Sequence, residues 1–322
     1  MELIVSVDKL TKHYKNDKGI FDVTFNIKKG EVFGFLGPNG AGKTTTIRHI
    51  LGFQKQDGGK CTIKGLDSWK DSVKINAKLG YVAGEIVFPN SGTGWKFIQQ
   101  MAQYKSMPNL DYAKELVNRF QFNPNVRLKA MSKGMKQKVA IVVAFMNKPD
   151  MLVLDEPTSG LDPLMQLEFD KLLLEFKKAG TTILMSSHIF SEIEKVCDRV
   201  AIIKEGKIIT DVQLSDIRHA IEKTYKIEFL DSTDFKNAKS NFTKKKFYNI
   251  KANDKKNQMY IVFDDKYTNE FINELSNYKI KFINQIQESL EEYFMQYYNN
   301  GEKFSFKDIK KSILNEKKGE KE

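Results

Sequence analysis

The chain has 322 residues, which is enough for two or three domains with their own hydrophobic cores. Its hydrophobic fraction of 41% and charged fraction of 29% are ordinary for a soluble globular protein. The longest apolar run, residues 139–146, is far shorter than the ~20 residues of a membrane-spanning helix. Because the two cysteines lie far apart in sequence, we expect a reducing compartment rather than a disulfide framework.

The net charge of +11 allows two classes of partner, nucleic acid and an anionic membrane surface. Acidic residues are nevertheless interleaved with the lysines along nearly the whole chain. This pattern favours a lysine-rich composition spread over solvated faces, so we expect no nucleic-acid partner.

Two strands are predicted at the start of the chain, at residues 3–14 and 21–27, joined by a polar turn. Tyr14 ends the first strand. Its ring could stack on a nucleotide base, since every base has a π-face, or it could pack at the edge of the sheet. The residues themselves leave both interpretations open.

Residues 37–44 read Gly-Pro-Asn-Gly-Ala-Gly-Lys-Thr and match the phosphate-binding loop G-x-x-x-x-G-K-[ST]. The motif requires a strand before it and a helix after it, and the patterns at 32–36 and 45–51 predict both. In such a loop Lys43 reaches the β- and γ-phosphates, and Thr44 holds Mg²⁺. The residues predicted to line the nucleotide here are Asn39, Gly40, Ala41, Gly42, Lys43, Thr44 and Thr45.

A strand–helix–strand pattern over residues 61–82 follows, with its helix at 68–78. Apolar residues then recur with helical spacing over 93–122, which indicates a helical insert between sheet strands. The long apolar stretch after Ser132 runs to about residue 147. Its length favours a helix over a strand, and Ser132 is then the N-cap.

An apolar run without alternation, residues 151–154, ends in Asp155 and Glu156. Such a run predicts a parallel strand buried on both faces. The two carboxylates then lie at the carboxyl end of the strand, where open α/β sheets bind ligands. A helix and a second buried strand, 182–185, lead to His188. Strands that alternate with helices predict a mostly parallel α/β nucleotide-binding domain.

From about residue 224 the composition shifts towards Lys, Asn, Phe and Tyr, and the element order becomes β-α-β-β-α-β. This order predicts a small ferredoxin-like unit, in which we find no catalytic motif. An aromatic-rich helix is predicted at 289–298. We therefore place a nucleotide-binding domain at 1–222 with its helical part at about 90–148, a small α+β domain at 223–300, and a charged tail at 301–322.

Five motifs occur in order along roughly the first 206 residues. They are the phosphate loop, Ser132-Lys133-Gly134-Met135, residues 152–157, residues 159–162, and His188. Together they resemble the ATP-binding subunit of an ABC transporter. The resemblance implies an α/β P-loop NTPase of ABC type, with a mostly parallel core sheet, antiparallel N-terminal strands, a helical subdomain and a small α+β C-terminal domain. Residues 288–294 are similar to a helix near the C-terminus of exporter-type subunits.

The resemblance also implies roles for individual residues. Asp155 would hold Mg²⁺ through water, and Glu156 would act as the general base. His188 would contact the γ-phosphate and orient the attacking water. Tyr14 matches the base-stacking aromatic of the family, which favours the first of its two interpretations. Asp162 would lie at a dimer interface and link two ATP sites.

The family's subunits pair head to tail, and that arrangement creates the interface. ATP is held between the phosphate loop of one subunit and the signature loop of the other, which in this chain is residues 131–135. Ser132 and Gly134 open a buried helix, whose free N–H groups suit a γ-phosphate from another chain. We expect the partner to be a second copy of this chain. A separate polytopic membrane permease is also implied, at the cytoplasmic face of the cell membrane.

The signature loop departs from the usual Leu-Ser-Gly-Gly-Gln of the family. Met131, Lys133 and Met135 replace three of its residues, whereas Ser132 and Gly134 are kept. The Ser-Lys-Gly-Met form resembles exporter subunits for drugs, peptides or lipid-linked compounds, whose membrane part is a separate chain.

A second departure follows the strand at 79–82, where the family has a glutamine that senses Mg²⁺ and the membrane subunit. Here the place is held by Gly84 or Glu85. Because a carboxylate can ligate Mg²⁺ directly or through water, we expect Glu85 to be the substitute metal ligand.

We therefore predict that the chain hydrolyses ATP with Mg²⁺ and drives export through a separate membrane subunit. The alternative is a soluble ABC-type ATPase that acts on ribosomes or nucleic acid. Those proteins usually carry two ATPase halves or a long coiled-coil insert, and this chain has one phosphate loop and no long heptad region. The presence of both Glu156 and His188 argues against a non-catalytic regulatory ATP-binder.

Overall fold

The computed structural model describes residues 2–16, 18–218, 222–245, 248–286 and 290. The chain divides into two compact units, Met1–Leu214 and Ser215–Glu322. The domain limits predicted from the sequence stay a prediction. The aromatic-rich helix predicted at 289–298 lies outside the described residues except for Leu290, and so does the charged tail. In the described part of the chain every helix is too short or too polar to cross a bilayer.

The strands of the first unit, β1 to β10 in chain order, are Leu3–His13, Gly19–Lys28, Val32–Leu36, Gly58–Ile63, Leu66–Asp67, Gly80–Val82, Met151–Asp155, Thr182–Ser187, Arg199–Lys204 and Lys207–Gln213. Its helices, α1 to α7, are Lys43–Ile50, Ser72–Lys78, Gly94–Tyr104, Asp111–Arg119, Lys133–Phe145, Pro163–Lys178 and Phe190–Val196. A short helix α8, Leu214–Arg218, follows at the boundary of the units. The predicted elements are present in the predicted order, and β5 and α8 are additional to them.

A six-stranded sheet carries the order β10-β9-β3-β8-β7-β6. Its strands are parallel except for β10, which pairs antiparallel with β9. Every residue of β3, β7 and β8 is buried, as the unbroken apolar runs predict. Since these strands are parallel, their carboxyl ends meet at one edge of the sheet, and the segments that follow them form the candidate site.

A second, antiparallel sheet has the order β2-β1-β4-β5. One continuous cluster of buried apolar side chains joins the two sheets. At its centre Phe25 of the antiparallel sheet stacks on Phe33 of β3, with ring centroids 5.0 Å apart. The mostly parallel core sheet with antiparallel N-terminal strands is therefore confirmed.

The helix predicted at 68–78 begins later, at Ser72. The carboxylate of Asp67 accepts hydrogen bonds from the backbone N–H groups of Trp69 and Lys70. A short polar side chain that bonds to its own backbone two or three residues on stabilises a turn in place of a helix. The residues with this polar pattern therefore form a turn, followed by a helix that is shorter than the predicted one.

The second unit contains β11 (Glu222–Phe229), α9 (Ser232–Lys244), β12 (Asn249–Asn253), β13 (Gln258–Asp264), α10 (Thr268–Leu275) and β14 (Ile280–Ile286). The strands form an antiparallel sheet of order β12-β13-β11-β14. This is the topology expected of a ferredoxin-like unit. Its core is aromatic: Phe263 and Phe271 lie with ring centroids 4.5 Å apart.

Candidate nucleotide-binding site

The phosphate loop connects the buried end of β3 to the start of α1. Gly42 occupies the N-cap of α1 with φ of 111°, a backbone conformation that favours glycine, and no side chain caps the helix there. The first N–H groups of α1 therefore have no side-chain partner at this end, where the helix dipole is positive. Asn39 and Gly40 are exposed, Ala41 is buried, and the side chains of Thr44 and Thr45 are half-buried.

Lys43 lies under this loop and is 4% exposed. Its Nζ donates hydrogen bonds to the carbonyl oxygens of Gly37, at 2.7 Å, and Pro38, at 3.2 Å. The same ammonium lies 3.3 Å from Oε1 of Glu156. The loop backbone thus fixes a buried cation where a polyphosphate on the loop would contact it.

Asp155, the last residue of β7, is fully buried. Its Oδ1 accepts a hydrogen bond of 2.5 Å from the Ser186 hydroxyl, whereas Oδ2 is buried without a hydrogen-bond partner. A buried carboxylate oxygen without a partner is costly unless a further ligand compensates it. Mg²⁺ prefers one or two protein oxygens and completes its shell with waters and substrate phosphates. Asp155 therefore fits a magnesium ion, and the motif residue Thr44 would supply a second oxygen ligand.

Glu156 and His188 meet the phosphate-loop lysine at one carboxylate oxygen. Oε1 of Glu156 lies 3.3 Å from Nδ1 of His188, and the Lys43 ammonium approaches the same oxygen at the same distance. Glu156 has φ of 46°, an uncommon conformation for a residue other than glycine. Its N–H donates to the backbone oxygen and the hydroxyl of Ser186, which hold this conformation. The structure thus brings three predicted catalytic residues together.

The signature residues form a second surface at the start of α5. The Ser132 hydroxyl accepts a hydrogen bond of 3.2 Å from the N–H of Met135, so the predicted N-cap is confirmed. Gly134 packs so closely on the neighbouring loop that an added Cβ would lie 2.6 Å from the carbonyl oxygen of Gly160. Asp162 caps α6, and its Oδ2 lies 3.9 Å from the Lys138 ammonium.

This second surface has no polar bond to the phosphate loop within the residues that the structure describes. No hydrogen bond or ion pair there joins Ser132, Gly134 or Asp162 to residues 37–44. Lys133 instead donates a hydrogen bond of 2.8 Å to the hydroxyl of Ser159, in the loop that follows Glu156. Helix α5, which begins at the signature residues, therefore contacts the loop that follows Glu156 in its own chain, here called the acidic loop.

Tyr14 follows β1 with its side chain 41% exposed, so its ring is accessible to a ligand. The Tyr14 hydroxyl donates a hydrogen bond of 2.8 Å to Oε1 of Gln54. The carboxylate of Asp57 accepts from the Lys12 ammonium and from the N–H of His13, and the hydrogen bond from Lys12 lowers the pKa of Asp57. The loop after α1 thus holds the strand end that carries Tyr14.

The substitution after β6 brings Gly84 beside the candidate metal ligand. An added Cβ at Gly84 would lie 3.0 Å from Oδ2 of Asp155. Glu85, the residue expected to replace the family's glutamine, is exposed. Its role as a metal ligand stays a prediction.

Sequence reasoning missed three residues that support the site: Ser186, Gln54 and Glu192. Ser186 bonds to Asp155 and to the Glu156 backbone, and Glu192 bonds to hydroxyls on both sides of the site. The only signal in the sequence was the pair of serines before His188. Nothing in the pattern around Gln54 or Glu192 distinguishes them from solvated polar residues.

Comparison with known proteins points to one family. The family model described as ABC transporter matches residues 20–159. An uncharacterized ABC transporter ATP-binding protein of Bacillus subtilis, YcbN, is 35% identical over 68% of this chain and 72% of its own. The bacitracin transport ATP-binding protein BcrA of Bacillus licheniformis is 34% identical over 72% of this chain and 76% of its own.

A solved structure agrees with these relatives. The ATP-binding subunit of an ABC transporter superposes with a TM-score of 0.62 at 31% identity, over 67% of this chain and 92% of that one. The phosphate loop, the buried Asp155 and the Glu156–His188 pair stay the predicted site residues of this chain. The chain therefore belongs to the ATP-binding proteins of ABC transporters, which are ATPases that bind ATP together with Mg²⁺.

Proposed function

We propose that this chain is the ATP-hydrolysing subunit of an exporter whose membrane part is a separate protein. The observation that carries the proposal is the contact of Lys43 and His188 with one oxygen of Glu156. The Lys43 ammonium, which can bind phosphate, and the His188 imidazole each lie 3.3 Å from this oxygen, which belongs to a carboxylate that can accept a proton. Such a set suits attack of water on a terminal phosphate.

Each residue has a distinct part in this proposal. The Lys43 ammonium binds the β- and γ-phosphate oxygens, and the N–H groups at the start of α1 bind the rest of the polyphosphate. Glu156 accepts the proton of the attacking water as the bond between the γ-phosphorus and the bridging oxygen breaks. His188 contacts the γ-phosphate and orients that water. Asp155 and Thr44 would hold Mg²⁺, which would neutralise negative charge on the phosphates.

A second copy of the chain completes the site. Ser132 and Gly134 present helix N–H groups but contact the acidic loop of their own chain through Lys133 and Gly160. Two chains arranged head to tail would place these groups on the γ-phosphate bound by the partner. Because only ATP carries that phosphate, hydrolysis would weaken the pair.

A membrane partner is supported by an apolar surface near the end of α1. Its exposed large side chains are Phe53, Trp69, Val73 and Tyr104, with exposed fractions of 53%, 42%, 74% and 63%. The segments that carry them are adjacent. Phe53 packs on Tyr81, Lys105 donates to the carbonyl oxygen of Leu79, and Gly52 lies directly against the segment 68–72. Exposed apolar patches of this kind mark interaction sites. We infer that a cytoplasmic loop of a polytopic permease binds here, which would place the chain at the cytoplasmic face of the membrane.

Export, and a drug, peptide or lipid-linked substrate, are inferred from two observations. The Ser132-Lys133-Gly134-Met135 signature resembles that of exporter subunits. The relative BcrA is named for bacitracin transport.

The test is recovery of tagged Glu156→Gln protein with ATP and Mg²⁺ from detergent-solubilised cells, followed by mass spectrometry. We expect a polytopic membrane protein among its companions. Lys43→Ala protein, which should not bind ATP, is the matched control. Recovery of ribosomal proteins or nucleic acid in place of a permease would favour the soluble alternative that the net charge of +11 allows.

A further inference from the structure

Glu192, on α7, is a buried carboxylate that binds two hydroxyl groups. Its Oε1 accepts a hydrogen bond of 2.6 Å from the hydroxyl of Thr158, and its Oε2 accepts one of 2.6 Å from the hydroxyl of Ser187. Glu192 is 8% exposed, Thr158 5% and Ser187 2%. Burial of a charge is costly without strong partners, so both hydroxyls are needed to satisfy it.

The two hydroxyls belong to the two segments that carry the proposed catalytic pair. Thr158 lies two residues after Glu156, and Ser187 lies directly before His188. The Ser187 hydroxyl also accepts a hydrogen bond of 2.9 Å from the N–H of Ile189. Ser187 therefore fixes the backbone on both sides of His188, and the orientation of the Ser187 hydroxyl depends on its hydrogen bond to Glu192.

The chemistry of a carboxylate makes this arrangement directional. An ionised carboxylate only accepts hydrogen bonds, so both hydroxyls must donate to it. The Ser187 oxygen then turns its lone pairs towards the N–H of Ile189. A neutral apolar residue at position 192 would leave both hydroxyls free to rotate.

We propose that Glu192 is a positioning residue, which holds the His188 segment and the Glu156 loop at the separation that catalysis needs. The inference rests on the proposed ATPase roles of Glu156 and His188. Loss of Glu192 lets the two segments move apart, and the 3.3 Å contact between Nδ1 of His188 and Oε1 of Glu156 lengthens. The hydrogen bonds of Glu192 reach neither the phosphate loop nor Tyr14, so ATP binding is spared.

The experiment measures kcat and KM for ATP with the full-length purified chain. Glu192→Ala lowers kcat roughly 10- to 100-fold, the scale of a misplaced catalytic group, and changes KM less than about 2-fold. Glu192→Gln keeps most of the rate, within about 3-fold, because its amide oxygen accepts from one hydroxyl and its NH₂ donates to the other. Rescue by glutamine is a result that loss of general stability does not produce.

Glu31 offers a matched control at the other end of the sheet. It is also 8% exposed, and its carboxylate accepts a hydrogen bond from the N–H of Lys28 and pairs with Arg199. Glu31→Ala removes a comparable buried carboxylate, so we expect reduced thermal stability with unchanged kcat. If Glu192→Ala does not fold, the milder variants Ser187→Ala and Thr158→Val are measured in its place. Each should lower kcat and leave KM for ATP nearly unchanged.

Several outcomes overturn the proposal. They are wild-type kcat in the variants, a change confined to KM, or an equal loss of kcat in Glu31→Ala. Glu156→Gln, measured alongside, tests the ATPase roles separately. Normal turnover in Glu156→Gln removes the proposed function itself, whereas an inactive Glu156→Gln beside a fully active Glu192→Ala removes only the positioning role.

Discussion

Nδ1 of His188 lies 3.3 Å from Oε1 of Glu156, across the carboxyl ends of two neighbouring parallel strands. The relationship depends on Ser186, whose hydroxyl contacts Asp155 and the Glu156 backbone. The imidazole is 45% exposed and the carboxylate 24%, so water can reach both. The proposed metal ligand, general base and water-orienting group thus lie at the carboxyl ends of one pair of adjacent strands.

Lys43→Ala should abolish tight ATP binding, because it removes the only lysine of the phosphate loop, residues 37–44, and with it the buried ammonium that lies beside Glu156. The measurement is titration with a fluorescent ATP analogue. Lys64→Ala is a suitable control, since Lys64 is exposed and pairs with Asp150. Retention of wild-type affinity in Lys43→Ala would refute the phosphate-loop assignment.

Glu156→Gln should bind ATP, yet lower turnover by ~10²–10⁴-fold, the usual contribution of a positioned base. Since ATP then stays intact, the variant should also elute as a dimer in size-exclusion chromatography with ATP and Mg²⁺, but not with ADP. A monomer under both conditions would contradict the head-to-tail pair.

Tyr14 and Gln54 should act as one unit in nucleotide binding. Tyr14→Ala removes the ring and should raise KM for ATP by roughly tenfold, the scale of ~1–3 kcal/mol for a base stacked on an aromatic ring. Tyr14→Phe and Gln54→Leu each remove only the 2.8 Å hydrogen bond, and each should raise KM a few-fold without a change in kcat.

The double variant of Tyr14→Phe and Gln54→Leu provides the check. If the two residues act through their shared hydrogen bond, the combined effect on KM equals that of either single change. Additive effects would mean that Gln54 contacts the nucleotide independently of Tyr14.

Glu85→Ala should reduce stimulation of ATP hydrolysis by the membrane partner more than it reduces ATP binding. The reason is position: Glu85 is exposed beyond β6, whereas Gly84 is the residue beside Asp155. The measurement compares basal and partner-stimulated rates across a Mg²⁺ titration. Unchanged stimulation and Mg²⁺ dependence would exclude Glu85 as the substitute for the family's glutamine.

The ion pair between α4 and α6 should make stability depend on pH. Arg119 bonds to both oxygens of Glu175, at 2.8 and 2.9 Å, and this lowers the pKa of Glu175. A carboxyl with a lowered pKa stabilises the folded state above its unfolded pKa, and the gain is lost as pH falls through the folded value. Since Glu175 is exposed, the gain at neutral pH is about 0.2–1 kcal/mol.

Glu175→Gln should therefore lower the free energy of unfolding by that amount at pH 7 and by less at pH 4, which is below the ordinary pKa of a glutamate. Urea denaturation at both pH values measures the difference. Lys114→Gln, which alters an exposed pair within α4, is the control and should have little effect at either pH. An equal loss for Glu175→Gln at both pH values would show that the charge of Glu175 is not what stabilises this contact.

Local patterns alone predicted the order of helices and strands in both units, the Ser132 cap and the phosphate loop. These features depend on periodicity, on glycine spacing and on side-chain bonds to nearby backbone, all of which are encoded within a few residues. The late start of α2 shows the limit of such patterns. The carboxylate of Asp67 accepts hydrogen bonds from the backbone of the residues that follow it, and these bonds form a turn where a helical turn was predicted.

The sequence by itself determined which chemical groups this protein possesses: a lysine in a glycine loop, two carboxylates after a buried strand and a histidine after another. Only the tertiary structure decided which of them meet. Lys43 and Glu156 are far apart in sequence yet 3.3 Å apart in space, because parallel pairing aligns the ends of strands that the chain visits at different times. For the same reason, only the structure identifies Glu192 and Gln54 as residues that support the site. Their hydrogen-bond partners lie on other segments and are set by packing, which a local sequence pattern cannot predict.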